Sequence, residues 1–449
     1  MIKNIKIFLM FSLINYLSIN SIIVKSSFNS YIDIPILFKI AYLIFLIVLL
    51  SIFLKFHIRE EIFYPIVFII FGFINIKNVN KEYFWNTIPD ARTYKNLGET
   101  LLDCFQLSLS CNTEPYLSFP IIQPIISGLY SRYLYSYAPY FNILLIGASI
   151  YLMVVICKKY NKHLVGFGIY FLLIHSLVYE LTPMIISEVT FTFFTILSIY
   201  LIFTNTYKKG YISAIVYGLS VLTRPIGIVL LPIFFYISKN KKKFLSLFIS
   251  ILILASSFNF FTADRFIVSD FNIDAREDGL YENTGYADYL TNFVNLDGTA
   301  LKNNFDYLSK NFMNLYGFGK KDCIFHESCI IYNPIFNEDG LASRYFNNSI
   351  SGFLIDVYMK LHFHIQSPLN VFIYIYPIIF LVSLLFKKSK LEKLLTFSVI
   401  FLIFPSILTV EYGNRWNYTI LFLVSMNLEL LITKILIKKN QRKKFDYRF

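Results

Sequence analysis

The sequence predicts an all-α integral membrane protein with about 10 full transmembrane helices, a helical hairpin at 210–236 and interfacial helices in the first large outer loop. Three observations lead there. Of 449 residues, 56% are hydrophobic and 15% are charged, whereas a soluble domain carries about a quarter charged residues. Apolar runs near the spanning length of about 20 residues recur along the chain. The segments between them sort by charge, one set basic and the other acidic. So much apolar sequence needs protein or lipid to bury it, which excludes a disordered chain as well as an ordinary soluble one.

Taken in order, crossings are expected near 6–24, 36–55, 62–78, 139–157, 164–180, 186–204, 244–262, 369–386, 394–410 and 417–436. The first run follows Lys3 and Lys6 and could be a cleaved signal peptide, but its end, SINSIIVKSS, lacks a small-x-small cleavage site and reads better as a span. The apolar segment from Gly210 to Tyr236 is flanked by Lys208 and Lys209 on one side and by Lys239, Lys241, Lys242 and Lys243 on the other. Both ends therefore belong on the cytoplasmic side. The segment must enter and return, breaking at Arg224-Pro225, where proline removes a helix donor and restrains its predecessor.

With the N-terminus inside, the expected cytoplasmic segments hold 24 Lys and Arg against Glu60, Glu61, Glu392 and Asp446, a sum of +20. Residues 263–367 carry 14 acidic and 8 basic side chains, which fits the opposite face. The net charge of +13 is thus a topology signal, and no nucleic-acid partner is implied. The expected organisation is a membrane domain over 1–262 that includes the outer loop 79–138, a large outer loop at 263–367 forming a small helical cap, and membrane helices with a basic cytoplasmic tail over 368–449. The expected localisation is that of a multi-pass protein of the cell inner or plasma membrane, with any active site expected on the outer face. Both outer segments exceed connector length and call for a fold or a function. The first holds an amphipathic stretch, Asp90 to Phe105, and a proline-punctuated one, Tyr116 to Tyr137, suited to the membrane interface.

Cys157 falls at a cytoplasmic helix end, while Cys104, Cys111, Cys323 and Cys329 fall on the oxidising side. Proximity suggests Cys104 with Cys111 and Cys323 with Cys329, though four cysteines allow three connectivities and free thiols are the alternative. No cysteine cluster has zinc-ligand spacing with histidine.

The chemistry candidates sit in four places. In PDARTYKNLGETLLD, Asp90 opens a helical pattern with Arg92 and Tyr94 in its first turn. Asp90 could simply cap the helix; an acid beside a cation and an aromatic also suits deprotonation of an acceptor hydroxyl near an anionic leaving group. Glu188 enters an otherwise apolar helix, where the dipole favours a carboxylate and where burial makes an ionisable group costly. Arg224, roughly 18 Å along a helix from Tyr211, reaches toward the level of Glu188, either as a structural ion pair or as a ligand for a lipid phosphate. In EYGNRWNYTILFL, Glu411, Arg415, Trp416 and Tyr418 lie at the outer end of the last span. They can serve as an interface anchor, and Arg415 can grip a phosphate with two bonds. Glu429 and His175 are isolated polar residues within spans, expected to be packed or pore-facing.

In this order PDARTYKNLGETLL, PYLSFPIIQPIISGLY, ISEVTFTFF, LSVLTRPIGIVLLP and GNRWNYTILFL resemble the polytopic glycosyltransferases of the C-type superfamily, such as the dolichyl- or polyprenyl-phosphate-sugar mannosyltransferases and the aminoarabinose transferases. The resemblance covers 62–262 and 394–436 and is weak in 263–367. It implies an inverting transfer from a polyprenyl-phosphate sugar donor to a glycolipid, polysaccharide or protein acceptor at the outer face of the lipid bilayer. It also implies Asp90 as base, Glu188 at the acidic position after the outer turn, and Arg224 and Arg415 at the basic positions. The chain departs from the pattern where Ala91 follows Asp90 and where the proline-rich helix lacks lysine. No nucleotide-binding glycine loop is present, none is needed for a lipid-linked donor, and a divalent metal is compatible with the chemistry. A polysaccharide polymerase or ligase would be expected to carry outer-loop arginines and histidines, which are sparse here. A flippase or transporter would keep its binding groups near the midplane and often shows internal repeats. A non-catalytic scaffold is the remaining alternative.

Overall fold

The computed structural model describes residues 13, 59–76, 82–86, 89–105, 120–160, 164–174, 176–203, 207–263, 389–408 and 417–446. These residues are almost entirely helical and include no strand. The helices are α1 (Glu60–Ile76), α2 (Tyr83–Asn86), α3 (Pro89–Phe105), α4 (Ile122–Leu134), α5 (Ala138–Tyr160), α6 (Phe167–Ile174), α7 (Ser176–Leu181), α8 (Ser187–Phe203) and α9 (Tyr207–Thr223). A 3-10 turn over Pro225–Leu230 leads into α10 (Leu231–Ile237), α11 (Lys241–Ala263), α12 (Lys390–Leu408) and α13 (Asn417–Asp446). Among the described residues three stretches are long and apolar enough to cross a membrane: Ala138–Tyr160, Lys241–Phe261 and Tyr418–Leu436. The expected crossings at 6–24, 36–55 and 369–386 and the loop at 263–367 with its cap lie outside the described residues. All contacts given below lie within one compact unit formed by residues 1–269, 387–400 and 417–449; residues 401–408 of α12 belong to the other unit.

The expected hairpin is present, with α9 and α10 separated at Arg224-Pro225. Within the expected crossing at 164–180 the structure describes α6 and α7, and the one residue between them, 175, lies outside the described residues. Helix α6 begins only at Phe167, after non-helical residues 164–166 that turn at Gly166 with φ +84°, a conformation that side chains with a Cβ rarely adopt. The amides this leaves at the start of α6 are taken by Glu429 of α13. Val165 and Gly166 donate to Oε1 at 2.8 and 2.9 Å, and Gly168 donates to Oε2 at 2.9 Å. The Thr433 hydroxyl adds a fourth bond at 3.1 Å. Glu429 is therefore packed, and its charge is matched to a helix N-terminus. His175 lies outside the described residues.

A stripe of small polar residues runs down one face of α8 at helical spacing, Glu188, Thr192, Thr195 and Ser198. Thr192 bonds Thr419 of α13 at 2.7 Å, Thr195 bonds Ser220 of α9 at 2.8 Å, and Ser198 bonds Ser213 at 2.9 Å. Between helices in lipid, hydroxyl pairs of this kind average about 0.6 kcal/mol each and draw backbones close. At the opposite end of α5, Lys158 bridges to Glu61 at 2.9 Å and to Glu60 at 3.4 Å, tying it to the start of α1. Burial works against ionisation at Glu61, but the Lys158 hydrogen bond and charge outweigh it and hold its carboxyl below the usual range.

Helices α3 and α4 form the amphipathic pair expected in the first loop. They meet backbone to backbone at Gly98 and Gly128, where a Cβ on Gly98 would fall on the Pro124 carbonyl oxygen and 2.5 Å from the Gly128 nitrogen. Ser131 donates to Glu99 at 2.5 Å, and Arg132 bridges Asp103 at 2.5 Å. Leu97, Leu101 and Ile121 then pack on Leu222 of α9 and Ala255 of α11. Cys104, at the end of α3, is disulfide-bonded, and its partner lies outside the described residues. Cys157 is a buried free thiol.

Alanine at position 98 should lower the unfolding temperature in detergent, although alanine in a helix is ordinarily about 1 kcal/mol better than glycine. Overpacking costs about 1 to 3 kcal/mol and here falls on backbone atoms that do not swing away. Asn96→Ala, at an exposed position of the same helix, serves as the control and should leave the temperature unchanged or raise it. A stabilised Gly98→Ala variant would rule the close approach out.

Candidate functional site

The site forms where three elements converge on the N-terminus of α8. Glu188 is the second residue of that helix, and its carboxylate Oε1 lies 2.7 Å from Nη1 of Arg224, with the two side chains 2% and 15% exposed. The proximity expected for these two residues is therefore present. The sequence produces it through the hairpin. The Arg224 amide still closes α9 by donating to the Ser220 carbonyl at 3.0 Å, but the residue itself is extended, at φ −143° and ψ 116°. Pro225 then starts the 3-10 turn, and Gly227 donates back to the Arg224 carbonyl at 2.9 Å. The turn is held down by Tyr217, whose hydroxyl donates to the Gly227 carbonyl at 2.7 Å while its ring stacks on Phe234. Gly227 itself sits against the Phe191 ring of α8, where a Cβ would come within 2.8 Å.

The third element is α3. Tyr94 is buried, and its hydroxyl donates to the Ser187 hydroxyl at 3.3 Å; Ser187 in turn reaches Oε2 of Glu188 at 3.4 Å. A polar line thus runs from α3 through the first two residues of α8 to the hairpin tip. The start of α3 is fixed by a second apolar cluster of Trp85, Ala91, Ala138 and Ile185. Trp85 stacks on Tyr135 at 5.3 Å and 3° and donates its indole N–H to the Tyr135 carbonyl at 3.3 Å. Ile185, three residues before Glu188, donates its amide to the Phe84 carbonyl at 3.4 Å.

The sequence-based candidates divide as follows. Glu188, Arg224 and Tyr94 are brought together. Asp90 lies inside the first turn of α3, after Pro89, rather than ahead of the helix as a cap. Arg92 is exposed and forms no ion pair among the described residues. Arg415, Glu411 and Trp416 lie outside the described residues. Tyr418 is buried and shares a hydrogen bond of 2.6 Å with Thr182, just ahead of the loop to α8. Two participants, Ser187 and Thr182, were not among the sequence candidates. Ser187 carried one usable sign, its place beside the acid that opens an apolar helix; Thr182 carried none.

Among the described residues no three His, Cys, Asp or Glu side chains gather as a metal centre would require. Comparison with protein families, with curated proteins and with solved structures finds no match for this chain.

The ion pair makes a thermodynamic statement. Removing one partner of a buried pair leaves the other charge uncompensated, at a cost of about 3 to 5 kcal/mol. Glu188→Gln and Arg224→Met should each destabilise strongly, and the double variant should lose less than the two single losses combined. Denaturant unfolding of the purified variants reads this directly. Additive losses would show that the two charges do not interact.

Proposed function

We propose that this chain is a polytopic membrane glycosyltransferase. It takes a sugar from a polyprenyl-phosphate-linked donor and passes it, with inversion, to an acceptor hydroxyl at the outer face of the inner or plasma membrane. The observation that supports the reading most is the buried Glu188–Arg224 pair, reached through Ser187 by the helix whose first turn carries Asp90. An ionisable pair held in an apolar helix bundle marks a functional site more often than a structural one. A guanidinium presents its donors in a planar fork that suits a phosphate.

In this mechanism Asp90 takes the proton from the acceptor hydroxyl as that oxygen attacks the anomeric carbon. The bond from the anomeric carbon to the phosphate oxygen breaks on the opposite face, and polyprenyl phosphate leaves with the electron pair. Arg224, and Arg415 from the last loop, balance the phosphate charge. Glu188 orients Arg224 and, through Ser187, the Tyr94 side of α3. Arg92, exposed in the same turn as Asp90, faces the acceptor. A divalent metal is compatible with these steps.

Asp90→Asn tests this role, because asparagine keeps the size and a side-chain oxygen of aspartate but is no base. The variant should fold and bind donor yet release polyprenyl phosphate about two to four orders of magnitude more slowly when purified protein is given a polyprenyl-phosphate sugar and acceptor extract. Near-native turnover would take Asp90 out of the mechanism.

The proposed sidedness has its own test. A cysteine probe at Asn303 should react with an impermeant reagent added outside intact cells. Labelling that requires the cytoplasm to be opened would overturn the orientation and, with it, the outer-face chemistry.

A further inference from the structure

The base of the 207–237 hairpin carries a positive cluster that the site above leaves unused. Lys239, Lys241, Lys242 and Lys243 are all exposed, and among the described residues none of them takes part in an ion pair. Three of the four are consecutive, so they repel one another unless an anion lies among them. Two are held over aromatic rings, Lys241 at 5.7 Å from both Phe235 and Tyr236, and Lys243 at 5.1 Å from Tyr211. These contacts gather ammonium groups from the start of α11 over rings from α9 and α10, at one end of the hairpin.

The surface that continues from the cluster says what covers it. Beyond its lysines α11 is apolar over a spanning length, and Ile249, Ile253, Leu254, Phe260 and Phe261 remain 44% to 83% exposed. Side chains of this kind on a spanning helix face hydrocarbon. Lys242 lies seven residues before Ile249, roughly 10 Å along the axis, which sets the ammonium groups at headgroup level in the same leaflet. A soluble acidic protein or a nucleic acid would need a face that did not run on into hydrocarbon. We infer that Lys239, Lys241, Lys242 and Lys243 form a docking site for the phosphate headgroups of anionic phospholipid. Such a site also sets the depth of the hairpin. From Tyr211, under the Lys243 ammonium, to Thr223 at the end of α9 is 12 residues of helix, roughly 18 Å. The hairpin is thus gripped by headgroups at its base and by Glu188 at its tip.

The inference is independent of glycosyl transfer, and so is its test. The full chain is placed in nanodiscs of phosphatidylcholine alone or mixed with phosphatidylglycerol, and lysine modification by an uncharged amine reagent is read residue by residue. Phosphatidylglycerol should protect Lys241, Lys242 and Lys243 several-fold more than it protects Lys390, an exposed lysine at the start of α12. In native mass spectrometry the Lys241→Gln, Lys242→Gln, Lys243→Gln triple variant should retain phosphatidylglycerol more weakly, by about fivefold for each lysine removed. If the triple variant does not fold, the labelling of the unaltered protein decides alone. Equal modification in both bilayers would overturn the site. Equal protection at Lys390 would reduce it to diffuse surface charge, and protection by soluble glycerol phosphate in phosphatidylcholine would reassign it to a free anion; either result also overturns it.

Discussion

The contact between Glu188 and Arg224 is the constraint around which this helical unit is arranged. Neither charge is tolerable alone in an apolar bundle, so the two elements that carry them must be delivered to one place. The hairpin does this by ending α9 at the residue that has to turn inward, with proline next to prevent the helix from continuing. On the other side, α8 begins one residue before its acid, so the carboxylate meets both the guanidinium and the positive end of its own helix. The polar stripe lower on α8 then holds the same neighbours, α9 and α13, through hydroxyl pairs. A helix fixed at its charged end and along one face has little freedom to rotate or slide.

The amphipathic pair α3 and α4 completes the arrangement from outside the bundle. Its glycine crossing brings two backbones together, and its apolar side rests on Leu222, two residues from Arg224. Its other end is secured by the Trp85 cluster next to the loop that leads into Glu188. Two apolar contacts, one on each side of the ion pair, thereby determine where the first turn of α3 lies. The single polar reach of Tyr94 to Ser187 is a weak bond made effective by that apolar support.

Several of these features were legible in the sequence for physical reasons. Lysines on both flanks of a short apolar segment, with Arg224-Pro225 at its centre, leave a hairpin as the economical solution, and the hairpin is present. The 89–105 helix was readable from its amphipathic period, and the Glu188–Arg224 meeting from helix rise. The polar stripe was readable in principle, since Glu188, Thr192, Thr195 and Ser198 follow a helical period. What it would bind was not, because the partners Ser213, Ser220 and Thr419 come from different parts of the chain. The partner that caps the start of α6 was hidden for a related reason: Glu429 comes from far along the chain and reads by itself as an isolated acid in a span.

That carboxylate has a consequence for how the protein comes into being. Val165 and Glu429 are 264 residues apart, so at translation rates of about 5 to 20 residues per second the ribosome delivers the acid roughly ten to fifty seconds after the start of α6. Through that interval the nascent chain holds the amides of Val165, Gly166 and Gly168 without the carboxylate that accepts them in the folded protein. Folding of this region is therefore finished late and from a distance, by α13. A chain interrupted before residue 429 would remain a substrate for quality-control proteases however well its earlier helices had formed.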